Sequence, residues 1–330
     1  MMDRPDAARL TQKLRSMHVP NERDAEVAKQ ILRLLERDAE GRPRPVACRF
    51  TAERETRGIA MIEPAGGGKT TAVRRVLQSI PALSENPETG LPRYLELQVP
   101  SPATLKSVGL TILSALGLPA KSPNAREWEI WEAVRHRLAL LGIVVLWLDE
   151  AQDLLMAKSI SDTENSLRMI KSLMQGPHAV IPILSGTQRL ASMTALDPQV
   201  SRRFSKIVPA DLQHGTDDEN LLGMIDAYCD KAGVEAVLSP DLPARLITAS
   251  RRRFGRAVEI VVNAIECALW DEAKVLTTDH FAEAWAVQEG CETDQNVFSA
   301  QDFLSIELDK GAEQYEEARM MRLHKKLGKA

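Results

Sequence analysis

The sequence predicts an α/β fold, in which a parallel sheet lies between helices in αβα layers and a small all-helical domain follows. Apolar runs alternate with helix-spaced stretches as far as residue 210, which is typical of a parallel sheet with helical crossovers. From Asp217 onwards the apolar positions recur only at helical spacing. Several apolar runs end in glycine or polar residues, and the carboxyl edge of such a sheet is where ligands bind.

The stretch from Gly58 to Thr71 predicts a phosphate-binding loop between a strand and a helix. Glycines let backbone N–H groups close around phosphate oxygens, and the helix N-terminus adds a partial positive charge. In this pattern the lysine reaches the β/γ-phosphates and the next hydroxyl ligates Mg²⁺, which are the roles of Lys69 and Thr70. The residues expected around the nucleotide are Pro64, Ala65, Gly66, Gly67, Gly68, Lys69, Thr70 and Thr71.

One position departs from the pattern of such loops. Glu63 stands where G-x-x-x-x-G-K-[ST] has its first glycine, whereas Gly66 to Thr70 are intact. The turn that leaves the strand must therefore tolerate a side chain. An ordinary turn is the alternative interpretation of the whole stretch.

A second buried strand delivers two carboxylates. The unbroken apolar run from Ile143 to Leu148 is typical of a strand covered on both faces, and Asp149 and Glu150 follow it directly. An aspartate there can hold Mg²⁺ through water, and the neighbouring glutamate can orient and deprotonate the attacking water. The alternative is a pair of solvated carboxylates at the end of a core strand.

Two later stretches carry further candidates. The strand around Ile183 ends in hydroxyls, so that Ser185 or Thr187 can contact a γ-phosphate, although a simple turn explains them equally well. Arg202 and Arg203 precede the last strand, from which an arginine can reach the phosphates of a neighbouring subunit. The alternative for these arginines is plain solvation.

The chain divides into four predicted regions: residues 1–45, an N-terminal tail and helix whose first 20 residues we expect to be partly disordered; 46–214, the nucleotide-binding αβα domain; 215–290, the helical lid domain; and 291–330, a C-terminal tail that binds a partner or is partly disordered. A basic cluster opens the third lid helix, and its Arg256 is a candidate to reach the nucleotide. A DNA-backbone contact or a surface role is as compatible with this cluster.

Composition bounds the location and the partners. No apolar run approaches the length of a membrane span, the N-terminus lacks the hydrophobic region of a secretion signal, and the cysteines are widely spaced, so we expect a bacterial cytoplasmic protein. Through His214 there are 29 Lys and Arg against 24 Asp and Glu, whereas the remainder has 13 against 22. Any DNA surface is therefore expected in the first two-thirds of the chain.

The order of these motifs resembles an AAA+ P-loop ATPase, and three stretches resemble the TniB family of transposition ATPases, relatives of TnsC and MuB. The three stretches are Leu97 to Ser107, Leu148 to Leu154, and Ser185 to Thr187. The resemblance covers about residues 20 to 290. It implies a non-sequence-specific DNA-binding ATPase whose ATP-bound subunits form a ring or helical filament on duplex DNA and recruit or activate a DDE transposase, with hydrolysis driving disassembly.

The resemblance also implies cofactors and roles. The cofactors are ATP and Mg²⁺. Lys69 and Thr70 carry over as phosphate and metal ligands, Asp149 as the second metal anchor, and Glu150 as the catalytic base. Ser185 carries over as the strand-end sensor and Arg203 as the arginine that acts in trans.

The predicted DNA contacts are Lys106, Lys121 and Arg126, in the loop and helix after the second strand. Two other functions remain open from the sequence. One is an AAA+ ATPase of a signalling or secretion system that does not bind DNA. The other is an adaptor that binds ATP without hydrolysing it. A helicase is disfavoured, because the region after residue 215 is helical and too short for a second RecA-like domain.

Overall fold

The computed structural model describes residues 4–50, 52, 54–118, 125–155, 160–195 and 197–309, and single positions at 311, 314, 315, 318, 321 and 322. The helices are α1 (Arg4–Ser16), α2 (Glu22–Arg33), α3 (Lys69–Ser79), α4 (Leu105–Ala115), α5 (Glu127–Leu141), α6 (Gln152–Leu155), α7 (Ile160–Leu173), α8 (Gln188–Ala195), α9 (Pro198–Ser201), α10 (Asp218–Ala232), α11 (Leu242–Ala249), α12 (Phe254–Trp270) and α13 (Thr278–Glu289). The strands are β1 (Leu35–Arg37), β2 (Pro43–Ala47), β3 (Gly58–Ile62), β4 (Tyr94–Gln98), β5 (Val145–Asp149), β6 (Ile181–Gly186), β7 (Phe204–Ile207), β8 (Glu235–Ala236) and β9 (Val275–Leu276).

The contacts divide the chain into two compact units. One comprises Asn21–Ala65 and Lys69–Pro209, and the other comprises Met1–Pro20, Gly66–Gly68 and Ala210–Ala330. These units divide the N-terminal residues differently from the four regions predicted from the sequence. The predicted domain boundaries therefore stay predictions.

The first unit is built on a five-stranded parallel sheet. Its strand order is β4-β5-β6-β3-β7, and each neighbouring pair is parallel. Strands β3, β5 and β6 are buried along their whole lengths, which explains why the sequence shows them as unbroken apolar runs. The predicted α/β fold class is confirmed.

Helices flank this sheet and close its core. α2 and α3 contribute buried Val27, Ile31, Val73 and Val76 to one apolar cluster with β3 and β5 residues. α4 and α5 are joined by the Trp131 indole, whose Nε1–H donates to the Leu105 carbonyl over 3.1 Å. A short antiparallel hairpin, β1 with β2, precedes β3.

The second unit is mainly helical, with one short parallel pair between β8 and β9. Helices α10 to α13 share a core that contains Tyr228, Ile265, Phe281 and Trp285. Among the described residues of the protein, no helix is both long and apolar enough to cross a bilayer.

The N-terminal residues differ from the expectation of partial disorder. Arg4–Ser16 forms α1, whose Ala7, Thr11 and Leu14 are buried at helical spacing. Leu14 belongs to the core of the helical unit, and Arg15 Nη2 lies 2.7 Å from Glu266 Oε2. An alanine, a threonine and a single leucine make too weak an apolar stripe to predict a packed helix from the sequence. The residues against which this stripe packs come from the far end of the chain.

The segment after Gly290 also packs on the helical unit. Val297 and Phe298 are buried in its core. The Arg245 guanidinium donates to the Val297 carbonyl over 2.7 Å and to the Ala300 carbonyl over 2.9 Å. Residues 291–309 are therefore folded rather than a free tail, and most of 310–330 lies outside the described residues.

Candidate nucleotide-binding site

The predicted phosphate-binding loop joins β3 to α3. Its first residue, Glu63, donates its backbone N–H to the Gly186 carbonyl over 3.0 Å, which ties the start of the loop to the end of β6. Gly66 and Gly68 have φ of 80° and 104°, a conformation that favours glycine. α3 begins at Lys69, and because the first N–H groups of a helix have no partner within the helix, this end suits an anion.

Lys69 and Glu150 form an ion pair at the carboxyl edge of the sheet. Lys69 Nζ lies 2.9 Å from Glu150 Oε1, and the exposed fractions of the two side chains are 6% and 31%. The second oxygen of the carboxylate, Oε2, accepts a hydrogen bond of 2.5 Å from Gln152 Nε2. Both oxygens of Glu150 are thus engaged by protein groups.

Gln152 was missed by the sequence reasoning. It is buried, and its Oε1 accepts the backbone N–H of Thr187 over 3.3 Å. A Cβ on Gly186, the last residue of β6, would lie 2.1 Å from this oxygen, so a side chain there would displace the Gln152 amide. Gln152 therefore connects the carboxylate after β5 with the turn after β6. Its position, two residues after Glu150 in the sequence, could have predicted that Gln152 belongs to the site.

The environment of Glu150 keeps it ionised. Burial raises the pKa of Glu150, but hydrogen bonds from Gln152 and Lys69 and the charge of Lys69 outweigh burial, and the net pKa lies below its ordinary value of 4.5. The residue also has φ of 54°, a left-handed conformation that costs about 1–3 kcal/mol in a residue other than glycine. Such strain recurs where a side chain must be aimed at a site.

Asp149 lies at the centre of a chain of hydrogen bonds. Its Oδ2 accepts from Thr70 Oγ1 over 2.6 Å, and its Oδ1 accepts from Ser185 Oγ over 2.5 Å. Ser185 Oγ in turn accepts from Trp147 Nε1 over 2.7 Å. Asp149 is only 7% exposed, so these bonds fix the direction of its carboxylate.

This arrangement fits Mg²⁺. A hydroxyl and a carboxylate meet next to the phosphate-binding loop, and Mg²⁺ binds through one or two carboxylates together with substrate phosphates and water. Across the described residues there is no cluster of three or more His, Cys, Asp or Glu that could hold a metal. Thr70 and Asp149 therefore suit a metal that is shared with phosphates rather than one held by a protein cage.

The two hydroxyls after Ile183 have different surroundings. Ser185 is fully buried and bonded to Asp149 and Trp147. Thr187 Oγ1 is a buried atom that has no hydrogen-bond partner among the described residues. Thr187 is thus the hydroxyl that has capacity for a ligand, whereas Ser185 already supports Asp149.

Arg203, the arginine predicted to act in trans, is buried in an ion pair with Glu55. It is 5% exposed, and its Nη2 and Nε lie 2.7 and 3.0 Å from Glu55 Oε2. Burial raises the pKa of Glu55, but hydrogen bonds and charge from Arg203 lower it below its ordinary value. The neighbouring Arg202 is exposed. The sequence could not separate these two arginines, because burial of one depends on Glu55, 148 residues away.

Arg256 lies in the helical unit, to which the contacts also assign Gly66–Gly68. Gly255 donates its N–H to the Gly67 carbonyl over 3.0 Å, and a Cβ on Gly255 would lie 2.6 Å from the Gly66 carbonyl oxygen. Arg256 Nη1 is buried without a hydrogen-bond partner in the described part of the chain. Burial lowers the pKa of Arg256, and the charges of Arg251 and Arg253 lower it further. An unpaired guanidinium N–H beside these glycines fits an anionic ligand.

The predicted DNA contacts differ in how much of each side chain is exposed. Lys106 is half-buried in the first turn of α4, and Arg126 is exposed at the N-cap of α5. Lys121 lies outside the described residues.

Solved structures with a similar fold include two ORC proteins and a Cdc6 protein. The Aeropyrum pernix ORC1 protein, solved in complex with DNA, matches with a TM-score of 0.58 at 17% identity, covering 84% of this chain and 67% of that one. The Aeropyrum pernix ORC2 protein, solved as ADPNP–ADP complexes, gives 0.54 at 16% identity, over 84% and 72%. Cdc6p from Pyrobaculum aerophilum gives 0.54 at 14% identity, over 84% and 73%. At these identities the likeness establishes the fold.

Sequence comparison gives the family. No curated protein matches this chain. The family described as "Bacterial TniB protein" matches residues 48–213, which is half of the chain. The match covers the phosphate-binding loop and the carboxylates of β5. The chain belongs to the TniB family, and its fold is similar to that of the ORC and Cdc6 structures.

Proposed function

We propose that this protein is an ATP-dependent regulator of transposition in the bacterial cytoplasm. It binds duplex DNA without sequence specificity, oligomerises on it, and recruits or activates a DDE transposase, and ATP hydrolysis drives disassembly. The observation that carries the proposal is the cluster of Lys69, Thr70, Asp149 and Glu150 at the carboxyl edge of the sheet, in a chain of the TniB family.

In this proposal the nucleotide is bound at the loop. Lys69 would leave Glu150 for the β/γ-phosphates, and Thr70 and Asp149 would be the residues that hold Mg²⁺. When bound, Mg²⁺ neutralises charge on the phosphates. Glu150 is ionised and, once released by Lys69, has a free oxygen to take the proton of the attacking water.

Four further roles follow from the surroundings of the side chains. Thr187 contacts the γ-phosphate, because its hydroxyl has no described partner, and Ser185 orients Asp149. Arg202 takes the trans-acting role first assigned to Arg203, because it is exposed. Arg256 contacts a phosphate through its unpaired N–H.

The DNA surface is proposed at Lys106 and Arg126, with Lys121 between them in the sequence. A filament that grips the DNA backbone needs only a few cations in each subunit, because the contact repeats along the duplex. The fold is compatible with this function, since a protein of the same fold was solved in complex with DNA.

The proposal is tested by binding a random-sequence duplex in ATP, a slowly hydrolysed ATP analogue, ADP and no nucleotide, with negative-stain imaging of the same samples. We expect rings or filaments on DNA only with ATP or the analogue. Absence of DNA binding in all four conditions would contradict the proposal and favour an ATPase of a signalling or secretion system.

A second comparison separates a hydrolysing regulator from an adaptor. E150Q should prolong the ATP-bound assembly on DNA, because hydrolysis disassembles it in the proposed cycle. An unchanged lifetime would instead support an adaptor that binds ATP without hydrolysing it. Purified DDE transposase from the same element then tests recruitment by co-sedimentation with these assemblies.

A further inference from the structure

Glu63 and Arg23 form a buried ion pair at the start of the phosphate-binding loop. Arg23 Nη1 lies 3.0 Å from Glu63 Oε1 and 3.3 Å from Glu63 Oε2. The exposed fractions of the two side chains are 8% and 9%. The residues are 40 positions apart. The pair therefore joins the first turn of α2 to the residue that replaces the first glycine of the loop pattern.

The backbone at Glu63 explains why a side chain is tolerated there. Gly66 and Gly68 have positive φ, whereas Glu63 is not among the described residues with positive φ. Its N–H is satisfied by the Gly186 carbonyl. The position thus does not need the conformational freedom of glycine. Its buried carboxylate does need a partner, because an isolated charge is strongly disfavoured away from water.

Arg23 is held in place by the packing of α2. The helix begins with a capping box, in which the Asn21 side chain accepts from the Asp24 N–H over 3.2 Å and the Asp24 side chain accepts from the Asn21 N–H over 3.1 Å. Further along, Val27 and Ile31 are buried in one cluster with apolar side chains of α3. α2 therefore packs on the helix that begins with the phosphate-binding lysine, and it also supplies the cation for Glu63.

We propose that Arg23 is a positioning residue for nucleotide binding. Its pairing with Glu63 sets the start of the loop, so that nucleotide affinity depends on α2, a helix outside the loop pattern. The inference rests on the proposed binding of nucleotide by this loop. Neither side chain has to contact the nucleotide, because both act through the backbone between Glu63 and Lys69.

The test is a double-mutant cycle on the full chain with R23M, E63Q and the double variant. The probe is a fluorescent ATP analogue at equilibrium, and kcat is measured at saturating ATP. Each single variant breaks the buried ion pair and should weaken nucleotide binding by about tenfold or more, with a higher KM and little change in kcat. The double variant also lacks the ion pair and should bind about as weakly as the weaker single variant and no more weakly, since the effects of two residues that act as one pair are not additive.

E55Q is the matched control. Glu55 precedes β3, whereas Glu63 follows it, and the Glu55–Arg203 pair is buried to the same degree, with exposed fractions of 8% and 6%. E55Q should lower thermal stability and leave nucleotide affinity unchanged. If E63Q behaves in the same way, or if the losses in the double variant add, the pair is only structural and the inference is overturned.

Two outcomes keep the inference separate from the proposed function. A wild-type protein that binds no nucleotide overturns the proposed function and the inference with it. A wild-type protein that binds nucleotide, with single variants of unchanged affinity, overturns the inference alone. If R23M does not yield folded protein, E63Q and the double variant still decide, because E63Q keeps the shape of the side chain.

Discussion

Lys69 Nζ lies 2.9 Å from Glu150 Oε1, so the proposed phosphate-binding lysine and the proposed catalytic base neutralise each other. A phosphate that approaches Lys69 has to compete with this carboxylate. Once the lysine is engaged elsewhere, Glu150 keeps its bond to Gln152 and gains one free oxygen. The pair therefore links occupation of the loop to the availability of the base.

The first prediction concerns this pair. E150Q should reduce ATP hydrolysis by about 10²- to 10⁴-fold, the usual contribution of a general base. Nucleotide affinity should stay the same or increase, because Lys69 loses its competing partner. Phosphate release and equilibrium binding measure the two effects. Loss of nucleotide binding in step with turnover would contradict the assignment.

The second prediction concerns pH. In the wild type the pKa of Glu150 lies below 4.5, so its protonation should limit kcat/KM only at acid pH. Q152L removes a hydrogen bond that lowers this pKa, so the pKa rises and the acid limb of the kcat/KM profile should move to higher pH. Q188L, at an exposed glutamine on α8, is the control and should leave the profile in place.

The same lowered pKa has a consequence for folding. Because the folded pKa of Glu150 lies below the unfolded value, its charge stabilises the protein above about pH 4.5, and this stabilisation is lost as pH falls through the folded pKa. The acid-induced unfolding transition of Q152L should therefore begin at higher pH than that of the wild type. An unchanged transition together with an unchanged rate profile would argue against the hydrogen bond.

The third prediction separates the two hydroxyls after Ile183. S185A leaves Trp147 Nε1 without its acceptor and removes one of the two hydrogen bonds to Asp149 Oδ1, which should cost about 1–3 kcal/mol of unfolding free energy. It should also raise the Mg²⁺ concentration for half-maximal ATPase activity. T187A should leave urea unfolding unchanged and lower kcat, because its hydroxyl has no described partner. The opposite pattern would return the sensor role to Ser185.

The fourth prediction separates the two arginines before β7. R203M leaves Glu55 buried without its cation and should cost about 3–5 kcal/mol in urea unfolding. R202A should unfold like the wild type. Its ATPase rate per subunit should lose the rise with protein concentration that a residue acting in trans produces. A wild-type concentration dependence in R202A would exclude that role.

Much of the site could be predicted because its signals are local. Lys69 and Thr70 follow the glycines of the loop, and Asp149 and Glu150 follow an apolar run, so a short window carries each motif. The parallel sheet then brings the carboxyl ends of β3, β5 and β6 together. Strand β7 spans Phe204–Ile207 in the structure, and Val208, which continues the apolar pattern in the sequence, is exposed and lies outside it.

The remaining features depend on partners that are distant in the sequence. Whether an arginine is a surface cation or half of a buried ion pair is decided by Glu55 for Arg203 and by Glu63 for Arg23. Likewise, α1 is stable as a helix because its apolar stripe has a core to join. A sequence pattern records which side chains are present, and the tertiary fold decides which of them meet.

Trp147 gives the site an optical reporter of its own. Its indole is fully buried on β5 and donates to the Ser185 hydroxyl, which in turn donates to Asp149. Indole emission responds to the electrostatic field along the ring, so a cation arriving at Asp149 should shift the fluorescence of Trp147. Cation binding at Asp149 can therefore be followed by the intrinsic fluorescence of Trp147, without a dye attached to any subunit.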